Sequence, residues 1–310
     1  MKKVVITGAT GMIGKTLIEY LLKKDIEILA VIRQNSKRGQ DLPKHQNLKI
    51  VGCNLDNLRN LKIQEKYDTF FHFAWDGTFG EARNDLYIQN LNVKYTLDAV
   101  ELANNLGCTT FIGAGSQAEY GRVEGRISEE TSQNPENGYG IAKLTASRMS
   151  RILANKYNIK HIWTRIFSVY GPYDGEKTMI MSSIKEMLEN KKSPNYTKGE
   201  QIWDYIYSED VAKAFYLIGE KGKNNSVYCI AQGESRPLYE YIQMIKDAID
   251  KSIKLNLGVI PYSEKQVMNL QANIDKLKID TGFIPEYTFE KGIQNTIKWY
   301  KEKEGKNEKN

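Results

Sequence analysis

The sequence predicts an α/β protein whose first half forms a doubly wound parallel sheet and whose second half forms a smaller mixed α/β domain. Three observations carry this prediction: nearly continuous apolar runs recur through the first 165 residues, longer amphipathic segments separate them, and the rhythm changes near residue 170. Runs that are apolar on both faces are typical of strands covered by helices on both sides. Strands and helices that alternate in this way form parallel sheets with right-handed crossovers.

The apolar runs predict six strands of ordinary length, each five to eight residues long. The predicted strands are Lys3–Thr7, Glu27–Ile32, Leu48–Gly52, Asp68–Ala74, Cys108–Gly113 and Lys160–Phe167. Between them, apolar residues recur at the three- and four-residue spacing of an amphipathic helix. The predicted helices are Met12–Lys24, a long helix within Ala82–Asn105, and Gly138–Tyr157.

The alternation of strands and helices ends at Gly171–Gly175, a cluster of residues that interrupts regular structure. Beyond it the predicted helices are Lys177–Asn190, Ser208–Glu220, Pro237–Ile249 and Phe289–Lys301, and the predicted strands are Asp204–Ser208 and Ser226–Ala231. We therefore expect a first domain at 1–170, to which a segment near 204–230 returns, and a second region at 171–300. Residues 301–310 carry charges of both signs and no apolar side chain, so we expect a solvated, frayed tail.

Composition and charge exclude several classes of protein. No apolar run approaches the roughly 20 residues that span a bilayer, so we expect no membrane partner. Lys15 and Glu19 interrupt the apolar N-terminal run, which disfavours a signal peptide and predicts a cytoplasmic protein. The net charge of +6 is spread along the chain without a basic–aromatic stripe, so we expect no nucleic-acid partner. The three cysteines and three histidines lack ligand spacing, so we expect no metal site.

A glycine-rich loop separates the first predicted strand from the first predicted helix. It reads TGATGMIG and repeats glycine at every third position. Glycine lets the backbone approach a phosphate closely, and the start of a helix offers free N–H groups with a partial positive charge. A glycine loop in this context predicts a Rossmann-type NAD(P)-binding domain. The expected cofactor contacts in the loop are Gly8, Thr10, Gly11, Met12, Ile13 and Gly14.

The turn after the second predicted strand bears on the choice between NAD and NADP. An NAD site usually has an acid there for the ribose 2′-hydroxyl, whereas an NADP site needs a cation for the 2′-phosphate. No acid lies between Ala30 and Gly39, but Arg33, Lys37 and Arg38 do. The sequence therefore favours NADP, with NAD held through backbone contacts as the alternative.

Tyr139 and Lys143 lie four residues apart in a predicted helix and so face the same side of it. A phenol has an unperturbed pKa of about 10, and a nearby ammonium favours the phenolate and lowers that pKa. Hydride transfer at a carbon–oxygen centre requires a proton to move on the oxygen, and a tuned tyrosine can move it. We therefore expect Tyr139 to be the catalytic acid or base, with Lys143 beside it.

These motifs resemble the extended short-chain dehydrogenase/reductase superfamily and its nucleotide-sugar-modifying NAD-dependent epimerase/dehydratase family. The resemblance covers nearly the whole chain: the glycine loop, YGIAK at 139–143, RIFSVYGP at 165–172, GEQIWDYIYSEDVAKAF at 199–215 and the stretch at 273–300. It implies a catalytic set of Ser116, Tyr139 and Lys143, in which Ser116 hydrogen-bonds the substrate oxygen and Lys143 also holds the nicotinamide ribose. It also implies a homodimer formed by the two long helices of the first domain.

The resemblance extends to the cofactor and the substrate. Beyond the glycine loop, the implied cofactor contacts are Arg33, Lys37, Asn54, Leu55, Ala74, Trp75, Asn92, Tyr139, Lys143 and Ile166. The implied substrate is a nucleotide-diphosphate sugar, bound mainly by the second region. Its implied contacts are Ser116, Gln117, Tyr139, Ser168 and Trp203.

Two positions depart from the family pattern. Ser168 replaces a common asparagine, and Trp203 replaces an arginine that often grips the diphosphate. An indole cannot supply the charge of a guanidinium, so Trp203 either stacks on a base or sugar or belongs to the core. Arg165 and Arg236 are the candidates for the missing cation, and the sugar and nucleotide stay open.

Three reactions fit this scaffold. Dehydratases of the family place Asp-Glu directly after the catalytic Ser or Thr, but Gln117 and Ala118 stand there and Glu119 lies one position late. The sequence therefore disfavours a 4,6-dehydratase. A 4-epimerase with tightly bound NAD and a 4-ketoreductase that consumes NADPH need only the catalytic set.

The cationic turn favours the reductase, in which Tyr139 is the general acid, and leaves the epimerase as the alternative. A non-catalytic dinucleotide-binding protein is the alternative from another class. Such proteins typically lose the catalytic Tyr or Lys, and both are present here.

Overall fold

The structure of the protein is a computed structural model that describes residues 1–307, with thirteen strands and eight α-helices in that range. The strands are β1 (Lys3–Thr7), β2 (Glu27–Ile32), β3 (Leu48–Gly52), β4 (Thr69–His72), β5 (Thr110–Ser116), β6 (Arg126–Ile127), β7 (Lys160–Ile166), β8 (Ser168–Tyr170), β9 (Ile202–Trp203), β10 (Tyr205–Tyr207), β11 (Ser226–Ile230), β12 (Arg236–Pro237) and β13 (Asn269–Ala272). The helices are α1 (Met12–Leu22), α2 (Leu86–Asn105), α3 (Gly138–Lys156), α4 (Met179–Glu189), α5 (Ser208–Lys221), α6 (Leu238–Ile249), α7 (Asp275–Thr281) and α8 (Phe289–Asn307).

Seven strands form one parallel sheet in the order β3-β2-β1-β4-β5-β7-β11. The predicted α/β class with a doubly wound parallel sheet is thereby confirmed. Strand order reverses between β1 and β4, and open sheets of this kind bind ligands beyond the carboxyl ends of the strands at that point.

Both faces of the sheet are buried, which explains the nearly continuous apolar runs. Val4 and Ile6 pack on the side of α1 and α5, while Val5 packs on the side of α2 and α3. Each such fully buried aliphatic side chain stabilises the fold by roughly 1.5–3 kcal/mol. The sheet is therefore a rigid platform for the loops at its carboxyl edge.

The second region rests on smaller elements. β8 pairs with β10, and β12, β9, β13 and β6 form a four-stranded sheet in that order. A separate apolar core joins α4, α6 and α8. α5 instead packs against α1, and β11 extends the large sheet beside β7.

Three differences from the predicted elements bear on the site or on the tail. β5 continues to Ser116, past its predicted end. α2 begins at Leu86, because residues 80–84 form a short 3-10 helix and Asp85 caps α2 by accepting hydrogen bonds from two backbone amides. α8 extends through residue 307, so part of the expected frayed tail is helical, while 308–310 lie outside the described residues. Contacts of Tyr300 with Glu189 and of Lys303 with Glu176 hold this last stretch of α8.

No helix within residues 1–307 combines the length and the apolar character needed to cross a membrane.

Candidate active site

The glycine loop between β1 and α1 forms a cradle that excludes side chains. Gly8 has φ +69°, and a Cβ there would lie 2.7 Å from the amide nitrogen of Ala74. At Gly14, a Cβ would lie 2.4 Å from the carbonyl oxygen of Gly8. Gly11 precedes α1 and makes no side-chain capping bond. The backbone N–H groups of the first turn of α1 can therefore bind a ligand. The loop thus fits the pyrophosphate of a dinucleotide, with Thr10, Met12 and Ile13 half-buried along it.

The turn after β2 meets the end of β3 beside this cradle. The side-chain oxygen of Asn54 accepts a hydrogen bond from the backbone amide of Gln34 at 3.0 Å, and Leu55 follows half-buried. Arg33 directly follows β2, and Lys37 begins a short 3-10 helix at Lys37–Asp41. Both cations are exposed, and none of the ion pairs found in residues 1–307 includes them.

Asn92 fixes the loop that follows β4. Its side-chain oxygen accepts from the amide of Asp76 at 2.9 Å, and its side-chain nitrogen donates to the carbonyl of Asp76 at 2.8 Å. The side-chain amide of Asn92, predicted to lie beside the cofactor, is thus bound to the loop backbone directly after Trp75. The indole N–H of Trp75 donates to Gln89 at 2.9 Å, which holds the ring at the carboxyl edge of the sheet.

Ser116, Tyr139 and Lys143 come together at the same edge. Ser116 ends β5, while Tyr139 and Lys143 lie in the first two turns of α3. A Cβ at Gly140 would lie 2.3 Å from the carbonyl oxygen of Ala118, so α3 packs directly on the backbone that follows Ser116. The Ser116 hydroxyl accepts a hydrogen bond from the amide of Ala118 at 3.2 Å, and it opposes the upward shift of the Tyr139 pKa.

Lys143 is buried and directed toward the backbone. Its ammonium donates to the carbonyl of Ala114 at 2.6 Å and lies 3.6 Å from the centre of the Trp75 ring. The same nitrogen is 5.6 Å from the centre of the Tyr139 ring. Burial lowers the pKa of Lys143 to about 7, so its charge is weakened near neutral pH.

The expectation that Lys143 lowers the pKa of Tyr139 is wrong. Burial is the largest influence on this phenol and raises its pKa above the usual value. The opposing influences are the guanidinium of Arg83 and the hydroxyl of Ser116. Lys143 does not take this role because its partly neutralised ammonium is bound to a backbone carbonyl instead.

A buried ion pair lies beneath Ser116. The carboxylate of Glu119 accepts from Arg165 Nε at 2.8 Å, from the indole N–H of Trp163 at 2.9 Å and from the amide of Ser116 at 2.9 Å. Arg165 also donates to the Tyr120 hydroxyl at 2.9 Å. Arg165 is only 2% exposed, so this candidate for the missing diphosphate-binding cation is wrong.

The glycines before Ser116 make room for this network. A Cβ at Gly115 would lie 2.1 Å from the indole nitrogen of Trp163 and 2.3 Å from a carboxylate oxygen of Glu119. A Cβ at Gly113 would lie 2.2 Å from the Trp163 ring. Glycine at these two positions therefore lets Trp163 and Glu119 pack directly against the end of β5 that carries Ser116.

Three residues lie next to Ser116 along the chain or on the neighbouring strand. Gln117 follows it, half-buried, at the start of a 3-10 helix (Gln117–Glu119). Ile166 ends β7 and pairs in register with Ser116. Tyr120 donates its hydroxyl to the carbonyl of Ser128 at 2.7 Å, and burial raises its pKa, so it is a structural tyrosine.

The two departures from the family pattern contact each other. The indole N–H of Trp203 donates to the Ser168 hydroxyl at 2.7 Å, and the ring packs against two apolar cores. Arg236 is directly opposite Trp203 in the antiparallel pair of β9 and β12, which places both side chains on one face. The Arg236 guanidinium is partly exposed and lies 4.0 Å from Glu290. Arg236 is therefore the remaining candidate for the missing diphosphate-binding cation.

One charged residue next to Tyr139 carries no sequence motif. The guanidinium of Arg83 lies over the Tyr139 ring, 4.3 Å from its centre. Arg83 belongs to the irregular segment before α2, which no periodic pattern marks. The sequence therefore offered no signal for it.

Comparison with known proteins gives matches along the whole chain. A family model described as the NAD dependent epimerase/dehydratase family matches residues 4–231. The dTDP-glucose 4,6-dehydratase of Haemophilus influenzae is 23% identical over 97% of this chain and 98% of that protein. The solved UDP-N-acetylglucosamine 4-epimerase of Methanobrevibacter ruminantium, in complex with UDP-N-acetylmuramic acid, has a TM-score of 0.88 at 25% identity, over 97% of this chain and 99% of that one. The solved dTDP-glucose 4,6-dehydratase of Bacillus anthracis, in complex with NAD, has a TM-score of 0.82 at 23% identity, over 98% of each chain.

Proposed function

The chain belongs to the NAD dependent epimerase/dehydratase family, and we propose that it reduces the 4-keto group of a nucleotide-diphosphate deoxysugar with NADPH. The observation that carries this proposal is the assembly of Ser116, Tyr139 and Lys143 beside a glycine cradle that fits a dinucleotide. The nucleotide sugars bound in related structures support the substrate class.

In the proposed reaction, Tyr139 donates its phenolic proton to the C4 oxygen as negative charge develops there. Burial keeps the phenol protonated near neutral pH, which suits a general acid. Ser116 donates a hydrogen bond to the same oxygen, and Lys143 holds the nicotinamide ribose. A reduced dinucleotide held in the glycine cradle would supply the hydride for C4.

The three positions directly after Ser116 do not supply the acid and base that elimination of water needs. Gln117 and Ala118 cannot exchange a proton near neutral pH, and three donors occupy the carboxylate of Glu119 beneath the pocket. These positions support a reaction that stops at the redox step, although several relatives are named as 4,6-dehydratases.

The cationic turn after β2 supports NADPH, whereas the solved neighbours that carry a dinucleotide in their names carry NAD. Changing Arg33 and Lys37 together to serine is expected to weaken NADPH binding roughly tenfold or more and to leave NADH binding nearly unchanged. The reason is that a hydrogen bond to a charged group contributes roughly 1.5–3 kcal/mol. Calorimetric titration of both cofactors measures the effect.

The matched control is Arg59→Ser, which removes another exposed cation. An equal loss for NADPH and NADH, or no loss for either, would contradict a 2′-phosphate site at this turn and would favour NAD.

The second candidate is a 4-epimerase that retains its own NAD, with Tyr139 acting as base and then as acid. The likeness to a solved 4-epimerase at a TM-score of 0.88 supports this alternative. The two candidates differ in one assay, in which a 4-keto or 4-hydroxy nucleotide sugar is added and the absorbance of added NADPH is followed. Consumption of one NADPH per sugar supports the reductase, and interconversion of sugars without consumption supports the epimerase.

We further propose a cytoplasmic homodimer in which α2 and α3 of two chains pair. Large apolar side chains are exposed on these helices: Leu86, Tyr87, Leu91, Ile141, Met149 and Ile152. An exposed apolar patch of this kind is typical of a protein interface. In each chain, residues 1–170 with 204–230 bind the cofactor, and the remainder of 171–300 contributes most of the sugar-nucleotide pocket.

A further inference from the structure

Arg83 is a cation above the catalytic tyrosine that the catalytic set does not include. Its guanidinium carbon lies 4.3 Å from the centre of the Tyr139 ring, within the range of a cation–π contact. One of its terminal nitrogens donates to the carbonyl of Thr78 at 3.3 Å. None of the ion pairs found in residues 1–307 includes Arg83, so no carboxylate there neutralises its charge through an ion pair.

The fold holds Arg83 in this position through the backbone on both sides. The 3-10 helix that carries it (Gly80–Asn84) docks on the start of α3, where the Asn84 side chain accepts a hydrogen bond from the amide of Gly138 at 3.1 Å. A Cβ at Gly138 would lie 3.1 Å from the carbonyl oxygen of Arg83 and 2.9 Å from the side chain of Leu86. A side chain at Gly138 would press on both segments, so glycine favours their close approach, and this approach places the guanidinium over the ring of the next residue.

The other charged groups around Tyr139 are weaker or already paired. The Lys143 ammonium is 5.6 Å from the ring centre, is bound to a carbonyl and has a pKa of about 7. Glu119 raises the pKa of Tyr139, but its carboxylate is paired with Arg165. A guanidinium stays protonated at every working pH, so Arg83 carries the permanent positive charge nearest the phenol.

We propose that Arg83 is a positioning residue that stabilises the phenolate of Tyr139. When the phenolic O–H bond breaks, the proton passes to the substrate oxygen, and the negative charge left on Tyr139 lies next to the Arg83 guanidinium. A proton from water later restores the phenol. The catalytic meaning of this contact rests on the proposed function, but its effect on the ionisation of Tyr139 does not.

The direct test is the titration of residue 139 itself in the full chain. 3-Fluorotyrosine placed at position 139 reports its ionisation through the fluorine NMR shift, and the fluorine lowers the pKa of the phenol, which burial raises. Arg83→Met removes the charge and keeps the chain length, and it is expected to raise the titration midpoint by roughly one pH unit, because an opposite charge within about 4–6 Å lowers a pKa by roughly 1–3 units. Arg83→Lys restores the charge and is expected to recover part of that shift.

Arg59→Met, which removes an exposed arginine paired with Glu101, is the control and is expected to leave the midpoint unchanged. An unchanged midpoint in Arg83→Met, or an equal shift in Arg59→Met, would overturn the proposal.

The pH profile of kcat separates this proposal from the proposed function. In a reductase the rate falls when Tyr139 loses its proton, so the alkaline limb of Arg83→Met is expected to move upward with the NMR midpoint. If the midpoint shifts but the protein turns over no nucleotide sugar, the effect of Arg83 on Tyr139 stands and the proposed function is wrong. A wild-type reductase whose alkaline limb stays fixed in Arg83→Met contradicts the catalytic role of Arg83.

Discussion

Replacing Tyr139 by phenylalanine is expected to lower kcat by roughly 10²–10⁴-fold, the usual contribution of a general acid. The change removes one oxygen from a buried ring and leaves its contacts with Trp75 and Arg83 in place. We therefore expect the affinity for the dinucleotide and the melting temperature to stay close to wild type. Single-turnover kinetics with a 4-keto nucleotide sugar and NADPH measure the loss directly.

Tyr157→Phe is the matched control, because it removes the same hydroxyl at the far end of α3, where it contacts Glu101. This variant is expected to keep the wild-type kcat. A Tyr139→Phe enzyme that works within a few-fold of wild type would contradict the general-acid role. Full dinucleotide binding without turnover in the wild type would support the non-catalytic alternative.

Replacing Arg165 by methionine is expected to cost about 3–5 kcal/mol of unfolding free energy, because it leaves the Glu119 carboxylate buried without its cation. This is the largest stability effect that we expect from a single substitution near the site. Denaturant unfolding followed by circular dichroism measures it, in the presence and absence of dinucleotide.

The double variant Glu119→Gln, Arg165→Met removes both charges of the pair. It is expected to recover a large part of the lost stability, because no buried charge then lacks a partner. The exposed pair of Arg122 and Glu136 gives the control, since Arg122→Met is expected to cost less than about 1 kcal/mol. Equal costs for Arg165→Met and Arg122→Met would show that the buried pair is not a structural support for Ser116.

Local patterns were sufficient for the fold. The first three strands begin and end where the apolar runs predict, and the glycine loop opens α1 as predicted. β4 and β7 are shorter than predicted. β5 extends past its predicted end, because Gly-Ala-Gly-Ser there has the composition of a loop. Its glycines are needed because the Trp163 ring, from the neighbouring strand, occupies the space where their side chains would lie.

Pairings between distant parts of the chain could not be predicted. Glu119 and Arg165 are 46 positions apart, and Ser168 and Trp203 are 35 positions apart, so no spacing rule connects them. The helical spacing of Tyr139 and Lys143 correctly placed both on one side of α3, but it could not show that Lys143 points to a backbone carbonyl. The charge over the phenol comes instead from Arg83, in a segment without a periodic pattern.

The central claim is that Tyr139 protonates a sugar oxygen while external NADPH reduces the carbon that bears it. NADPH that carries deuterium at its transferable position tests this claim most directly, with 4-keto deoxysugars linked to UDP, GDP, CDP and dTDP as substrates. Mass spectrometry and NMR of the product are predicted to find one deuterium at C4 per NADPH consumed, and very little product with Tyr139→Phe. In the same assay, a 4-hydroxy nucleotide sugar that changes configuration at C4 without gaining deuterium, while the 4-keto sugars and NADPH stay intact, would contradict the account and identify an epimerase.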